Sequence, residues 1–122
     1  MGSVRLIVGE PPEPTLTDAA QLRVTSLDRD PYGRGLFVLE RAFDKKTAAN
    51  LMRISLWRDP DHRGFDTRET ILDLKSPVAI DNMEGMAVVR RGSGVRLYLI
   101  SDDNFSKTQR SLLMAFDWTP PR

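Results

Sequence analysis

The feature that most constrains the fold of this 122-residue chain is an internal repeat. The run LFVL from Leu36 falls on LYLI from Leu97, an offset of 61 residues (97 minus 36). The same offset places LMRISLW, which ends at Trp57, on LLMAFDW, which ends at Trp118. A shared offset over two separate apolar runs indicates that one structural unit occurs twice in the chain.

The repeat extends upstream with a longer offset. TDAAQL from Thr17 falls on MEGMAV from Met83, and VRLIVG from Val4 falls on TILDLK from Thr70, both at an offset of 66 (83 minus 17 and 70 minus 4). We interpret the five-residue difference as a longer hairpin loop, SLDRDPYGRG, in the first unit, where the second unit has RRGSG. The repeating unit is therefore predicted to hold four strands, with a loop insertion in one copy.

The apolar residues fall in short runs rich in Val, Ile, Leu, Phe and Tyr, separated by Gly, Pro, Asp and Asn, which is typical of an all-β protein. A helix over 45–56 also fits the apolar spacing, but the strand-like counterpart of that segment downstream favours a strand. The pattern predicts about eight antiparallel strands. They are Val4 to Val8, Ala19 to Thr25, Gly35 to Arg41, Asn50 to Trp57, Thr70 to Lys75, Met86 to Arg90, Val95 to Ser101 and Ser111 to Trp118.

A recurring four-stranded unit of this size fits a β-propeller blade. We predict a single partial-propeller domain over 1–122, with one blade over about 17–75 and a second over about 83–118. The second blade would be completed by strand 4–8 or by a partner chain. A small β-sandwich is the alternative.

Two blades cannot close a ring, and they would leave apolar faces and strand edges in water. Either the chain is the C-terminal portion of a larger propeller, or copies associate. We therefore expect self-association of the isolated chain, as a trimer that supplies six blades or as a strand-exchanged dimer.

Composition excludes several function classes. The 18 Lys and Arg residues nearly balance the 17 Asp and Glu residues, which does not point to a nucleic-acid partner. The chain has no cysteine and one histidine, His62, so disulfides, thiol chemistry, multi-histidine metal sites and a Ser-His-Asp triad are not expected. No apolar run approaches the ~20 residues of a membrane span. No signal peptide is visible.

The motifs resemble a known family. DNMEGMAV from Asp81, followed by RLYLISDDNFSKTQRSLLMAFDW from Arg96, resembles the C-terminal signature of the phytase-like family, described as esterase-like activity of phytase. PTLTDAAQL and GLFVLERAF resemble the segment of that family one blade earlier. The resemblance covers nearly the whole chain from about Pro14 onward.

The resemblance implies a β-propeller that is longer than this chain and often exported in bacteria, so a periplasmic or secreted location is expected. It also implies a metal-assisted hydrolase of phosphoester, ester or lactone bonds in small-molecule substrates, with the isolated C-terminal portion inactive. A non-catalytic extracytoplasmic propeller that binds a partner or serves as a scaffold remains the alternative.

Acidic and amide side chains flank two predicted strands of the second blade. Asn82 and Glu84 stand at the start of one strand, and Asp102 and Asp103 follow the next strand, while Asp18 aligns with Glu84 in the first unit. Such oxygens suit calcium, which takes six to eight oxygen ligands. Calcium-dependent lactonases of the gluconolactonase type are similar in placing a blade-leading Glu on their metal. The sequence therefore predicts a calcium site with Glu84 as its central ligand.

The same Asp and Asn residues also suit a tight turn, because their side chains bond to their own backbone, and the turn is the simpler explanation for Asp103 and Asn104. Glu84 is a poor turn former beside the permissive Gly85. A carboxylate in a narrow channel requires a partner, so we expect Glu84 to be largely buried against a metal or polar groups.

Arg90, Lys107 and Arg110 are candidates for binding a substrate phosphate, although basic residues beside a hairpin are also typical of a solvated sheet edge. Trp57 and Trp118 occur at matching places in the repeat, and we expect both to pack between blades.

Overall fold

The computed structural model describes residues 3–8, 22–44, 49–58, 67–75, 83–101 and 113–121. These ranges hold eight strands and no helix, which confirms the all-β fold class. In particular, none of them contains a helix with the length and apolar character of a membrane span. The strands are β1 (Ser3–Val8), β2 (Arg23–Arg29), β3 (Leu36–Asp44), β4 (Ala49–Arg58), β5 (Thr67–Lys75), β6 (Met83–Arg91), β7 (Gly94–Ser101) and β8 (Leu113–Thr119).

The strands form two four-stranded antiparallel sheets. The first sheet has the order β2-β3-β4-β5, and the second has the order β6-β7-β8-β1. Strand β1 pairs with β8, with Val4 opposite Trp118, so the beginning of the chain forms the edge of the second sheet. A four-stranded antiparallel sheet is the unit of a β-propeller blade, and two such sheets packed face to face also form a β-sandwich, so this arrangement is consistent with both predicted architectures.

Each sheet has a contact face, turned toward the other sheet, and an outer face, turned away from it. Side chains alternate along a strand, so the ladders assign the faces. Phe37 and Leu39 lie on the contact face of the first sheet, and Leu97 and Phe116 lie on the contact face of the second. The outer faces carry, in order of sequence, Val24, Leu27, Val38 and Trp57 on the first sheet, and Ala87, Val89, Tyr98, Ile100 and Leu113 on the second.

The contact faces share one hydrophobic core. Trp118 is fully buried, and its ring meets Phe37 edge-on with the ring centroids 5.7 Å apart. Burial of each large apolar side chain stabilises the fold by about 1.5–3 kcal/mol. Trp118 therefore packs between the sheets as expected, whereas Trp57 lies on the outer face, where the guanidinium of Arg68 stacks 3.8 Å from its ring centroid.

The predicted position of the second strand is wrong. The strand runs over Arg23–Arg29 instead of Ala19 to Thr25, and residues 9–21 lie outside the described part of the chain. The segment RVTSLDR appears too polar for a core strand because its contact face carries Ser26 and Asp28, which accept hydrogen bonds from β6. The connection to β3 is consequently 30–35, shorter than the loop SLDRDPYGRG inferred from the repeat.

The repeat offset of 61 residues also does not relate the β3–β4 ladder to the β7–β8 ladder. In the first sheet Leu36 lies opposite Trp57, but in the second sheet Leu97 lies opposite Phe116, and Trp118 lies opposite Val95. The residue equivalent to Leu36 is thus Val95, at an offset of 59 (95 minus 36), so the 61-residue alignment of β3 with β7 is two residues out of register. A two-residue difference leaves every side chain on the same face, which is why the apolar pattern alone did not reveal it.

Two glycines mark the equivalence of the hairpins more accurately than the apolar runs. A Cβ on Gly35 would lie 2.1 Å from the carbonyl oxygen of Trp57, and one on Gly94 would lie 2.1 Å from that of Trp118. Both positions require glycine because the neighbouring backbone occupies the space of a side chain.

Candidate functional site at the start of strands β2 and β6

Strands β2 and β6 each contain a β-bulge near their start. The ladder between β2 and β3 shifts between Val24 and Ser26, and the ladder between β6 and β7 shifts between Met83 and Gly85. The extra residues are Thr25 and Glu84. Bulges redirect a side chain and are common beside active sites. By position in its strand, Thr25 is therefore the counterpart of Glu84, at an offset of 59 (84 minus 25), and the equivalence of Asp18 with Glu84 expected from the repeat is wrong.

The two bulges lie close together. The hydroxyl of Thr25 donates to the carbonyl oxygen of Met83, the residue before Glu84, at 3.2 Å. The hydroxyl also lies 3.5 Å from the carbonyl oxygen of Leu39 on the neighbouring strand. Thr25 thus fixes the backbone from which Glu84 projects.

Glu84 is not buried as expected, since 45% of its side chain is exposed. Its carboxylate does have a polar partner, because Oε1 lies 3.8 Å from Nη1 of Arg41 on β3. The ion pair joins the two sheets, but its length and its exposure to water make the attraction weak. Glu84 is therefore a carboxylate that solvent reaches, in a fixed backbone position.

Further along the strands, side chains of β2 bind the backbone of β6. Ser26 Oγ accepts a hydrogen bond from the Met86 amide at 3.2 Å, and Asp28 Oδ2 accepts one from the Val88 amide at 2.8 Å. These amides belong to the edge of β6 that does not pair with β7, and an unpaired buried amide is costly. The contact of Ser26 with Met86 is followed, two residues on in both strands, by the contact of Asp28 with Val88. Strands β2 and β6 therefore run in the same direction, with their first residues at one shared end and their last residues at the other.

At the shared end of β2 and β6, the connection 30–35 closes over the second sheet. Asp30 is only 1% exposed. Its carboxylate accepts hydrogen bonds from the amides of Tyr32 at 3.1 Å and Arg34 at 3.0 Å. The guanidinium of Arg34 donates to both oxygens of the same carboxylate, with Nη2 3.0 Å from Oδ1. The connection is thus organised around one buried ion pair.

This connection also holds the neighbouring sheet. The Tyr32 hydroxyl donates to the carbonyl oxygen of Gly92 at 2.6 Å, and Arg90 donates to the carbonyl oxygen of Pro31 at 3.0 Å. The guanidinium of Arg90 lies 4.8 Å from the Tyr32 ring centroid, and that of Arg34 lies 5.3 Å from the Trp118 ring centroid. Arg90, predicted to bind a substrate phosphate, is engaged in these contacts between the sheets.

The electrostatics of this end favour a charged Asp30. Burial by itself would raise the pKa of the Asp30 carboxyl, but hydrogen bonds from the Arg34 side chain and from the amides of Tyr32 and Arg34 outweigh burial and lower the pKa. The same contact raises the pKa of Arg34. The ion pair therefore contributes to stability in neutral solution.

An apolar groove begins beside Glu84 on the outer face of the second sheet. Its volume is about 380 Å³, and its lining includes Ala87, Tyr98, Ile100 and Leu113. Ile100 is 52% exposed and Leu113 is 54% exposed, so the groove is shallow and open to water.

Most of the predicted site residues lie outside the described ranges. These are Asp18, Asn82, Asp102, Asp103, Lys107 and Arg110, together with His62. In the described ranges, no group of three or more His, Cys, Asp or Glu residues lies close enough together to hold a metal ion. Glu84 and Arg90 are described, and they lie toward opposite ends of β6.

Sequence reasoning missed several polar residues that organise this region. Arg41 pairs with Glu84, and Ser26, Asp28 and Asp30 hold β6 and the connection 30–35. The signal for Asp30 was present, since Asp followed by Pro and Gly is typical of an Asx-stabilised turn. Ser26 and Asp28 gave no signal because a strand that accepts hydrogen bonds through its side chains resembles a polar loop in the sequence.

Comparison with known proteins identifies the family. The family model Phytase-like, described as esterase-like activity of phytase, matches residues 9–105. The chain belongs to the phytase-like family. The match includes β2 to β7 and the bulges at Thr25 and Glu84. No match was found among curated proteins or solved structures.

Proposed function

We propose that this phytase-like domain is part of a propeller hydrolase that acts on phosphoester, ester or lactone bonds, with Glu84 as a metal-binding carboxylate at its site. The observation that carries the proposal is the position of Glu84. The residue projects from a β-bulge at the start of β6, 45% of its side chain is exposed, and its backbone is anchored by Thr25.

The β6–β7 ladder supports the rest of the proposed ligand set. Met83 lies opposite Ser101 in that ladder. In the sequence, Asn82 directly precedes Met83, and Asp102 and Asp103 directly follow Ser101. In the sequence, these oxygen-bearing residues therefore adjoin the Met83–Ser101 pair, which lies at the same end of the ladder as Glu84.

Calcium fits the chemistry of this donor set, which consists of carboxylate and amide oxygens. Glu84 would be a ligand, joined by Asn82, Asp102 and Asp103, with Asp18 as a further candidate. A bound cation would polarise the phosphoryl or carbonyl oxygen of the substrate. The described residues supply one of these ligands, so the proposal depends on donors outside the described ranges.

Within this scheme Arg41 has an electrostatic function. Its guanidinium lies 3.8 Å from Glu84 and places a positive charge beside that carboxylate. Arg41 would also lie near an anionic substrate that approached Glu84. Lys107 and Arg110 remain candidate phosphate ligands, whereas Arg90 is committed to Pro31 and Tyr32.

The test is calcium titration by calorimetry on the wild type and on Glu84→Gln, which removes the charge and keeps the shape. Glu69→Gln is the matched control, because Glu69 also pairs with an arginine, Arg58, at 3.1 Å. We expect Glu84→Gln to lose calcium affinity at least tenfold and Glu69→Gln to bind like the wild type. Equal calcium affinity in all three proteins would contradict the metal assignment.

Catalysis is tested separately. The native protein that contains this chain is assayed against an aryl phosphate, an aryl ester and a lactone, each with and without a chelator. We expect hydrolysis that the chelator abolishes and that Glu84→Gln reduces. If neither the chelator nor Glu84→Gln changes the rate of hydrolysis, the catalytic function proposed for Glu84 is refuted.

A non-catalytic extracytoplasmic propeller is the second candidate. The ion pair between Glu84 and Arg41 is compatible with it, since the pair gives the Glu84 carboxylate a partner on the other sheet. On this hypothesis all three substrates remain intact and calcium does not bind. For either function we propose a periplasmic or secreted location, based on the family, which cell fractionation followed by immunoblotting would test.

A further inference from the structure

Two arginines lie directly opposite each other where β2 begins. In the β2–β3 ladder Arg23 pairs with Arg41, and opposite residues of an antiparallel pair project to the same side of the sheet. Arg41 reaches Glu84 on the other sheet, so both arginine side chains project from the contact face of the first sheet. Directly opposite residues have Cβ atoms about 4.5–5.5 Å apart, so the two guanidiniums are close enough to bind one small ligand together.

This pair of arginines is unfavourable for the fold by itself, because like charges directly opposite each other destabilise a sheet. Glu84 offsets the repulsion only in part, since it lies 3.8 Å from Arg41 and 45% of its side chain is exposed to water. In the described part of the chain, the charged side chains of the contact faces at this end are Arg23, Arg41 and Glu84. Two positive charges and one negative charge leave a net positive charge at this place.

Two neighbouring guanidiniums are well suited to bind an oxyanion. Each presents parallel N–H donors that match two oxygens of a phosphoryl or carboxylate group. Arg23 is exposed, and 29% of the Arg41 side chain is exposed, so a ligand reaches both. The arginines project from one sheet of this chain toward its other sheet, so the arrangement does not depend on what covers the outer faces.

We propose that Arg23 and Arg41 form an oxyanion site that binds a negatively charged group of the substrate. The inference rests on the proposed function, since it places this group beside Glu84, and it narrows the substrate class. An uncharged ester or lactone gains nothing from two guanidiniums, whereas a phosphoester or an ester that carries a carboxylate gains charge-assisted hydrogen bonds. Arg23 is therefore a residue that determines specificity.

Glu84 has opposite effects on the two ligands expected here. Its carboxylate attracts a cation, but in the absence of a cation it repels an incoming anion and competes with that anion for Arg41. Glu84→Gln should therefore strengthen anion binding and weaken calcium binding. The oxyanion site and the proposed metal site can thus be measured independently.

The test is calorimetric titration of inorganic phosphate into the native protein that contains this chain, with a chelator present so that no metal contributes. Arg23→Gln and Arg41→Gln should each lower the phosphate affinity by about fivefold or more, because each removes hydrogen bonds from a charged donor. Glu84→Gln should raise the affinity. Arg29→Gln is the matched control and should bind like the wild type, because Arg29 is exposed on the same strand but at its other end, opposite Leu36.

Thermal unfolding distinguishes an anion site from a structural role. A ligand that binds the native state raises the melting temperature, so phosphate should raise that of the wild type and not that of Arg23→Gln. Without phosphate, Arg23→Gln should be at least as stable as the wild type, because the substitution removes the repulsion from Arg41. Arg23→Lys keeps the charge but not the parallel donors, so it should retain part of the affinity.

A parallel titration with acetate distinguishes a carboxylate from a phosphoryl group as the group that is bound. A wild type that binds neither anion, or equal phosphate affinity in Arg23→Gln and Arg29→Gln, would overturn the inference and would leave the calcium assignment of Glu84 standing. Conversely, equal calcium affinity in the wild type and Glu84→Gln contradicts the metal assignment, while phosphate binding that depends on Arg23 and Arg41 still supports the oxyanion site.

Discussion

At the shared end of β2 and β6, Asp30 is 1% exposed and accepts hydrogen bonds from two amides and one guanidinium. At their shared start, Glu84 keeps 45% of its side chain in water and meets one guanidinium at 3.8 Å. Both carboxylates face an arginine, but their surroundings differ. A buried, fully hydrogen-bonded carboxylate stabilises a fold, whereas an exposed one contributes little to stability and is accessible to a ligand. The following predictions test whether Asp30 contributes mainly to stability and Glu84 is free of that role and accessible to a ligand.

The largest expected effect follows from Asp30→Ala. The substitution leaves the Arg34 guanidinium and two amides without their acceptor, so we expect the free energy of unfolding to fall by about 3 kcal/mol. Urea denaturation followed by tryptophan fluorescence measures the change. Glu69→Ala, at the more exposed pair with Arg58, is the control and should cost less than about 1 kcal/mol. Equal losses in the two variants would contradict the comparison.

The second prediction concerns acid. The folded-state pKa of Asp30 lies below the ordinary value of an aspartate, so its stabilisation is complete above that ordinary pKa and is lost as the pH falls through the lowered pKa. The free energy of unfolding of the wild type should therefore decrease as the pH falls below about 4, more steeply than that of Asp30→Asn. Urea titrations at a series of acidic pH values measure both slopes. Parallel curves would exclude Asp30 as the group that titrates.

Asp28→Ala tests the middle of the interface between β2 and β6. It removes the acceptor of the Val88 amide, and Val88 is 8% exposed, so we expect a loss of about 1–3 kcal/mol. Asp28→Asn keeps an acceptor oxygen and should lose less. Protection of the Val88 amide against hydrogen exchange should drop in the alanine variant. Unchanged protection would show that Asp28 does not hold this amide.

Tyr32→Phe removes one hydrogen bond and keeps the ring on which Arg90 stacks. The hydroxyl donates to the Gly92 carbonyl in an exposed position, so we expect a loss of about 0.5–1.5 kcal/mol. Thermal unfolding of the two proteins gives the difference. A loss as large as that of Asp30→Ala would mean that the tyrosine, and not the buried ion pair, organises the connection 30–35.

The smallest effect is expected for Glu84→Gln. Its ion pair with Arg41 is long and exposed, so the free energy of unfolding should change by less than about 1 kcal/mol and should vary little with salt. Urea denaturation at low and high ionic strength measures both quantities. A loss above that range would give Glu84 a structural function and would favour the non-catalytic alternative.

The sequence alone determined the fold class. Short apolar runs and the repeat of Leu36 on Leu97 and Trp57 on Trp118 specify two sheets, because apolar alternation and turn residues are local properties. The motifs EGMAV and LISDDNF also indicated the family. Glu84 was selected for a local reason as well, since a glutamate at the start of an apolar strand is unusual.

Only the tertiary structure decided the register and the neighbours of each polar residue. A two-residue slip keeps every side chain on its face, so the apolar pattern cannot distinguish the pairing of Trp118 with Val95 from its alternatives. Strand β2 could not be located from its sequence because Ser26 and Asp28 act as acceptors for β6, a strand about 60 residues away. Likewise Arg41 and Glu84 meet only when the two sheets pack together. Hydrogen bonds and ion pairs between distant segments leave no periodic signal, because each depends on one geometry in space and not on spacing along the chain.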